Sequence, residues 1–363
     1  MKAAQKKGFT LVELLVVISI IALLVGILLP ALSRARKSGQ NVKCSANLNQ
    51  MHKALTTWAT GDRDRYPQPQ RLDPKNYTEN AAIFQGANPT ATKNRSGNIY
   101  SVLIFGGNIS REIPICPAEV NTNIQTIPER HFSMRAPAGT FSPDNAVYDP
   151  CFRGTVFDWK VPETATFNGR TAGGDMPADG IGNASYAHTP LFGERRVRYW
   201  TSLYANATTP IFSDRGPKYA GVIGRQTEPA AGAEAWLPSS SQPTVGLQSD
   251  SMRLHGKENW GGNIAYNDGH VSFENAPNPK EVIIKYFGTG AMPPKRDNIF
   301  ADEGDGAAGG TTFSVINNMN AYLRIWKRGV VEGPDDAAYT NGADALDRHQ
   351  PDKPVWVDGQ SEN

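Results

Sequence analysis

Cysteine is scarce in this chain, and acidic residues are nearly absent from its first part. Three cysteines in 363 residues are too few for the dense disulfide framework of a small secreted domain. Residues 1–61 hold eight Lys or Arg and one acid, Glu13, a net charge of +7; the remainder holds 29 basic and 34 acidic side chains, a net charge of −5. An acidic body argues against general DNA binding, which needs clustered positive charge, so we expect no nucleic-acid partner.

Catalytic motifs are missing as well. The sequence contains no P-loop, Gly-x-Ser-x-Gly elbow, His-Glu-x-x-His or Cys-x-x-Cys. Four of the six histidines are isolated, and we expect them to be surface or packed side chains: His52, His131, His188 and His349. We therefore predict that the protein is not an enzyme.

Charge is also absent from a long apolar run. No charged residue occurs between Leu14 and Leu32, and as a helix this stretch spans about 28 Å, close to the hydrocarbon core of a bilayer. The apolar region of a secretory signal is shorter, about 7–15 residues, so we favour a single membrane-spanning helix. Signal-peptidase cleavage after the small residues at 31–33 is the alternative. Three basic residues flank the run on each side, so charge does not fix the orientation.

The motif Gly8-Phe9-Thr10-Leu11-Val12-Glu13 separates a basic leader from this run. It resembles the N-terminus of type IV prepilins and type II secretion pseudopilins. The resemblance implies that prepilin peptidase removes residues 1–8 by cutting after Gly8 and methylates the new N-terminal Phe9. It also implies that residues 9–32 cross the inner membrane once, with the body in the periplasm or in an extracellular filament. The partners would be other pilin or pseudopilin subunits and the machinery that assembles them into a type II secretion pseudopilus or a type IV pilus-like filament.

Two residues stand out, one just before the apolar run and one within it. A charge at the bilayer centre costs roughly 2.5–3.5 kcal/mol, so Glu13 needs a reason to be there. It either caps the positive end of the helix dipole or, as the resemblance implies, pairs during assembly with the amine of Phe9 on a neighbouring subunit. Pro30 removes one helical hydrogen bond and predicts a kink; the resemblance implies local melting there when the filament packs.

An amphipathic pattern follows and predicts a stem helix over residues 33–61, ending at Gly61. Apolar residues recur on one helical face at steps of four and three: Cys44, Leu48, Met51, Leu55 and Trp58. We expect this stripe to pack against the body. Because the stem lacks acids and the body is acidic, the two could also attract each other, within a subunit or between subunits.

The rest of the chain predicts an α+β, pilin-like fold in which the long helix packs on an antiparallel β-sheet. We assign residues 62–300 to this globular domain and 301–363 to a Gly-rich linker and polar tail. The 35 glycines and 26 prolines indicate long loops. Alternating apolar residues around Asp268-Gly269 predict a tight hairpin. Further expectations are a surface loop at 62–98, a short helix or strand at 99–109, strands at 155–159 and 210–214, a strand-like region around Tyr186, Tyr199 and Tyr204, a loop at 225–250 and a last element at 313–326.

The body resembles the large pilin-like proteins of planctomycetes, which join a prepilin N-terminus to a C-terminal H-X9-DG segment. His255 and Asp268-Gly269-His270 match that signature, within a segment we place at 255–273. Twelve residues separate His255 from Asp268 here, rather than nine, so the resemblance does not fix their relative geometry. Other matching positions are the stem piece Cys44–Gln50, Tyr66-Pro67, Cys116-Pro117, Ser185-Tyr186 and Ser213-Asp214.

Three cysteines allow three disulfide pairings. We favour Cys44–Cys116, since both stand in motif-like positions and Cys44 faces the body. Closing that loop would add about 4 kcal/mol in the chain-entropy model. A Cys116–Cys151 bond and three free thiols are the alternatives.

Two groups of residues offer metal ligands, although we expect no resident cofactor. His255, Asp268, His270 and Asp214 combine imidazole and carboxylate donors suited to zinc, but turn geometry alone explains Asp268-Gly269. Three acids of the linker offer oxygens for calcium, although a solvated linker is the simpler interpretation: Asp302, Glu303 and Asp305.

Tryptophans supply the alternative function. A membrane-tethered module that binds glycans or another extracytoplasmic substrate would use exposed aromatic rings for stacking, although core packing is the commoner fate of Trp. The candidates are Trp159, Trp200, Trp236 and Trp260.

Overall fold

A computed structural model describes the long N-terminal helix and most of the globular core. The described residues are 11–75, 77–78, 93–128, 145–149, 152–154, 166–167, 170–171, 181–189, 191, 199–216, 254–256, 260–283, 296–297, 299–300 and 323. Several predictions lie outside them: those on Gly8, Phe9, His131, Cys151, Trp159, Trp236, His349, residues 155–159, 225–250 and 302–305, and nearly all of 313–326 and the tail.

Helix α1 runs from Leu11 to Gly61 without a break. Its 51 residues extend about 76 Å at 1.5 Å per residue. Pro30 lies inside it, and helical structure continues on both sides. Through Leu32 the large apolar side chains are exposed, and this part is long and apolar enough to cross a membrane.

From residue 44 onward α1 is docked on the body. One face of this part is buried, and it follows the predicted stripe except that Trp58 is half-buried and two polar residues join: Cys44, Asn47, Leu48, Met51, His52, Ala54, Leu55 and Ala59. The helix ends at Gly61 as expected, and a polar turn follows in which Arg63 and Asp64 take positive φ.

Two shorter helices follow and contact each other. Helix α2 is Pro69–Leu72, and helix α3 is Ser96–Phe105. Helix α3 is buried along nearly its whole length, so the apolar segment at 99–109 is a core helix rather than a strand. Its sequence lacks an amphipathic pattern because it is covered on all sides.

The body has an antiparallel four-stranded sheet, so the predicted α+β layout is observed. Strands β1 (Thr166–Phe167) and β2 (Arg170–Thr171) form a small antiparallel pair of their own among the described residues. The larger sheet has the order β3-β4-β5-β6, every neighbouring pair being antiparallel. Its strands are Tyr186–His188, Pro210–Asp214, Gly262–Tyr266 and Val271–Glu274.

Apolar clusters cover both faces of this sheet. Ala265 belongs to the cluster that includes the docked face of α1 and helix α3. Its neighbours Ile264 and Tyr266 belong to a second cluster with Trp260 and Phe300. Successive strand residues point to opposite faces, so β5 is buried along its whole length.

The predicted hairpin joins β5 to β6. The Gly269 amide donates to the Tyr266 carbonyl at 2.9 Å, and the Tyr266 amide donates to the His270 carbonyl at 3.0 Å. Gly269 has a φ of 92°, in the left-handed region where glycine is favoured. The hairpin predicted from Asp268-Gly269 is thus confirmed.

Two sequence expectations were wrong. Tyr204 is exposed in a turn, and only Tyr186 of the three tyrosines lies in a strand. Residues 62–98 are not simply a surface loop, because Asp73 and Lys93 are buried and form an ion pair at 2.9 Å. Their polar composition suggested exposure, whereas mutual pairing makes burial tolerable.

Candidate functional site

The outer half of α1, residues 11–32, is an apolar surface that the rest of the described chain does not cover. Its large Leu, Ile and Val side chains are between 44% and 79% exposed. Glu13, the only acid here, lies in the first turn, where a negative charge is favourable. Such a surface is suited to lipid or to copies of the same helix.

Polar contacts fix how the inner half of α1 sits on the body. The Asn49 amide donates to the Gly269 carbonyl at 2.9 Å, and His52 Nε2 donates to the Asn267 carbonyl at 3.2 Å. Burial lowers the pKa of His52, which keeps its ring neutral at neutral pH. The hairpin turn therefore contacts the stem helix directly, through hydrogen bonds to the turn's backbone carbonyls.

Other residues of the body also fix the same turn by hydrogen bonds. Tyr66 donates its hydroxyl to Asn267 Oδ1 at 2.7 Å, and the Asn267 amide donates to the carbonyls of Tyr199 and Thr201. A Cβ on Gly269 would lie 3.1 Å from His52 Nδ1. The Asp268-Gly269 signature thus has a structural role: it brings a bare backbone against α1.

A disulfide joins Cys44 of α1 to Cys116, the pairing favoured from the sequence, with 5.2 Å between the Cα atoms. Both residues are buried. Gln40 and Asn47, on either side of Cys44, donate to the carbonyls of Pro117 and Ile115. This covalent and hydrogen-bonded seam closes the interface at the end nearer the membrane segment.

The four residues considered for a metal site fall into two separate pairs. His270 Nδ1 lies 2.6 Å from Asp268 Oδ1 at the exposed hairpin turn. His255 Nε2 lies 3.4 Å from Asp214 Oδ2 beside the disulfide. The four residues therefore do not form one cluster, because these pairs flank opposite ends of β5.

Two buried carboxyl groups, one of them within the second pair, have raised pKa values. Burial raises the pKa of Asp214, whose Oδ2 accepts the backbone and side-chain N–H groups of Asn263 at 2.7 and 2.9 Å. The nearby Glu119 pairs with Arg215 at 2.5 Å, and burial also raises its pKa. Sequence reasoning missed Asn263 and Glu119, since neither lies in a recognisable motif.

A pocket of about 220 Å³ opens beside His255, between α1 and the body. Lys37, Gln40 and Asn41 line it from the helix side, and Phe273 lines it from β6. Asn41 Oδ1 accepts from the Asn263 side chain at 2.7 Å, which links the pocket wall to the Asp214 environment.

Two of the tryptophans proposed for glycan stacking are unavailable for it. Trp200 is fully buried among aromatic rings and donates to the Pro67 carbonyl. Trp260 is 1% exposed and packs against Phe300. Core packing accounts for both.

Comparisons with known proteins concern the N-terminal part of the chain. Residues 4–29 match the prokaryotic N-terminal methylation motif. The type IV wide pilus major component PilA4 of Thermus thermophilus is 38% identical over 78 residues, which is 22% of this chain and 50% of that protein. The chain thus aligns with only half the length of this relative. No solved structure matches, and the H-X9-DG resemblance stays a prediction.

Neither match belongs to an enzyme family. The motif spans the start of α1, the helix that the body leaves exposed. The chain therefore carries a prepilin-type methylation motif, and its N-terminal part has a type IV pilin homologue.

Proposed function

We propose that this chain is a prepilin-like structural subunit. Prepilin peptidase cuts it after Gly8 and methylates Phe9, and α1 then anchors it in the inner membrane with its body outside the cytoplasm. From there the subunit joins others through the outer half of α1 into a pilus or a type II secretion pseudopilus.

The observation that carries the proposal is the contrast within α1. Its outer half exposes a continuous apolar surface, while its inner half is locked to the body by buried side chains and a disulfide. Bundling the outer halves would bury that surface at roughly 25 cal/mol per Å² in an aqueous surrounding. Within lipid, close packing and polar pairing take over as the driving force.

Glu13 supplies the polar pairing in this scheme. It is the single charge in an otherwise apolar surface between residues 11 and 32, and a charge within lipid is costly. The free amine created at Phe9 of a neighbouring subunit is a cation of the required sign, and pairing with it would set the stagger between subunits.

Two measurements test the proposal. Mass spectrometry of the mature protein should show a chain that starts at N-methylated Phe9. Glu13→Ala and the isosteric Glu13→Gln should be exported and processed but absent from filaments, whereas Thr57→Ala, an exposed change on the inner half of α1, should assemble normally. A mature chain that starts near Arg34, or normal assembly of both Glu13 variants, would refute it.

The type of filament needs a separate readout. A pseudopilus subunit would be required for secretion of folded proteins, and a pilus subunit for surface fibres. Deleting the gene and measuring both separates them. If neither changes, and the full chain binds glycans on an array through residues 62–363, the protein is a membrane-tethered binding module instead of a filament subunit.

A further inference from the structure

The Cys44–Cys116 disulfide lies within a cluster of donor atoms that suits zinc. Ligand atoms of Cys44, Cys116, Asp214 and His255 all lie within 4.8 Å of one another. The side chain of His255 is 5% exposed and that of Asp214 is fully buried, and both cysteines are at most 1% exposed. They come from four segments: α1, the loop after α3, the end of β4 and the loop before β5.

We propose that these four residues form a zinc site once the disulfide is reduced. An external dithiol reduces the Cys44–Cys116 bond and is itself oxidised to a disulfide, leaving two protein thiols. As two S–Zn bonds form, the two thiol protons leave for solvent. His255 Nε2 and a carboxylate oxygen of Asp214 complete the four ligands.

Two of the donor distances already match tetrahedral zinc. With Zn–S near 2.3 Å and Zn–N or Zn–O near 2.0–2.2 Å, neighbouring donor atoms lie about 3.3–3.8 Å apart. His255 Nε2 lies 3.6 Å from Cys116 Sγ and 3.4 Å from Asp214 Oδ2. The other donor pairs lie within 4.8 Å, and the two bonded sulfurs must separate, by rotation of their side chains, to reach the tetrahedral spacing.

The Asp214 carboxylate is positioned to bind a cation. Asp214 Oδ2 is oriented by two N–H groups of Asn263, the kind of outer-shell support that metal ligands commonly have. Asp214 Oδ1 is buried and has no hydrogen-bond partner among the described residues. A buried carboxylate oxygen without a partner is costly, and a cation would remove that cost.

An ion also has a route to the site. The pocket of about 220 Å³ reaches His255 from the surface and is lined by polar residues of α1, which meets the requirement for an entry path. Zinc would hold the same segments together as the disulfide, so α1 would stay tied to the body when the surroundings are reducing. The inference concerns this tie and does not depend on the filament assignment.

The test uses the full chain in detergent with Cys151→Ser, so that only Cys44 and Cys116 supply thiols. After reduction with a phosphine and its removal without air, we expect about one Zn²⁺ per chain, and none in the oxidised chain. Co²⁺ in its place should give the intense visible bands of a tetrahedral site and a sulfur-to-cobalt charge-transfer band.

Substitutions identify the ligands. His255→Gln and Asp214→Asn should each weaken zinc binding more than the roughly 10–100-fold typical of an outer-shell change. His270→Gln, in the other His–Asp pair, should leave it unchanged. Circular dichroism of the oxidised variants checks folding, and if a variant does not fold, Cys44→Ser must still weaken the charge-transfer band. No metal in the reduced chain, an octahedral cobalt spectrum, or equal binding by the oxidised chain would overturn the proposal.

Discussion

The two halves of α1 carry similar apolar side chains in opposite surroundings. Leu24 is 54% exposed and Leu48 is fully buried, although both are leucines of one continuous helix. The inner half finds its partner within the chain, while the outer half needs lipid or another subunit. One helix thus has two interfaces, and only one of them contributes to the stability of the isolated subunit.

The halves differ in polar residues as well. The inner half buries Asn47 and His52, and both bond to carbonyl groups of the body. A one-turn slip would leave these groups buried and unpaired, so the docking register is specified. Between Leu14 and Leu32 there is no charged residue, so this stretch of the helix surface does not itself specify a register. In the outer half that role falls to Glu13, near the start of the helix.

Removing the Cys44–Cys116 disulfide should have the largest effect on the stability of the subunit. We expect Cys44→Ser/Cys116→Ser to lower the free energy of unfolding of the oxidised chain by about 4 kcal/mol, because the disulfide closes a loop of 72 residues. Urea denaturation followed by tryptophan fluorescence measures it. Cys151→Ser is the control and should change little; a loss below about 1 kcal/mol in the double variant would mean that the seam is held by packing alone.

Matched leucines test the comparison directly. Leu48→Ala should lower the free energy of unfolding by about 3 kcal/mol, since it leaves a cavity under the docked face. Leu24→Ala in detergent should change it by less than about 0.5 kcal/mol but should impair filament assembly. Equal losses of stability for both would show that the outer half also packs on the subunit's own body.

Local signals made part of this structure predictable. Leucine and cysteine spacing placed the docked face of α1, Asp-Gly placed the hairpin, and the apolar run at 210–214 placed β4. The failures involve contacts distant in sequence. His52 and Asn267 are hydrogen-bonded although they are 215 positions apart in the sequence. Both are polar residues, so the sequence does not predict that they are buried.

The four residues weighed as a metal site lie apart for a geometric reason. Strand β5 spans Gly262–Tyr266, roughly 17 Å at about 3.4 Å per residue. Asp214 contacts its start, through Asn263, while Asp268 follows its end. Composition gave plausible donor types, but only the antiparallel register decides which of them meet.

Acidic pH should destabilise the folded body rather than the apolar outer half of α1. Burial lowers the pKa of His188 to about 4; its Nδ1 donates to the Thr189 carbonyl, and its Nε2 accepts the Ser96 hydroxyl. The unfolded chain binds this proton first, near pH 6.5, so His188 costs stability as the pH falls from 6.5 to 4. The loss should reach roughly 3 kcal/mol.

The control for this pH effect is His188→Gln. Asp214 and Glu119 have raised pKa values, so their protonation works in the opposite direction and is common to both proteins. The difference between wild type and variant, from urea midpoints at several pH values, isolates His188. A constant difference from pH 7 to pH 4 would show that the histidine is not buried as a neutral ring.

The smallest effects should have opposite signs at two glycines, one in the hairpin turn and one in α1. Gly269→Ala places a side chain at a φ of 92° and a Cβ 3.1 Å from His52, so we expect a loss of about 1–2 kcal/mol. Gly39→Ala adds a Cβ to α1 with no atom within 4 Å and should gain up to about 1 kcal/mol from helix propensity. His52→Ala should relieve part of the Gly269→Ala penalty in a double-mutant cycle. If the two changes simply add, the strain lies in the turn itself, and the hairpin does not press on the helix.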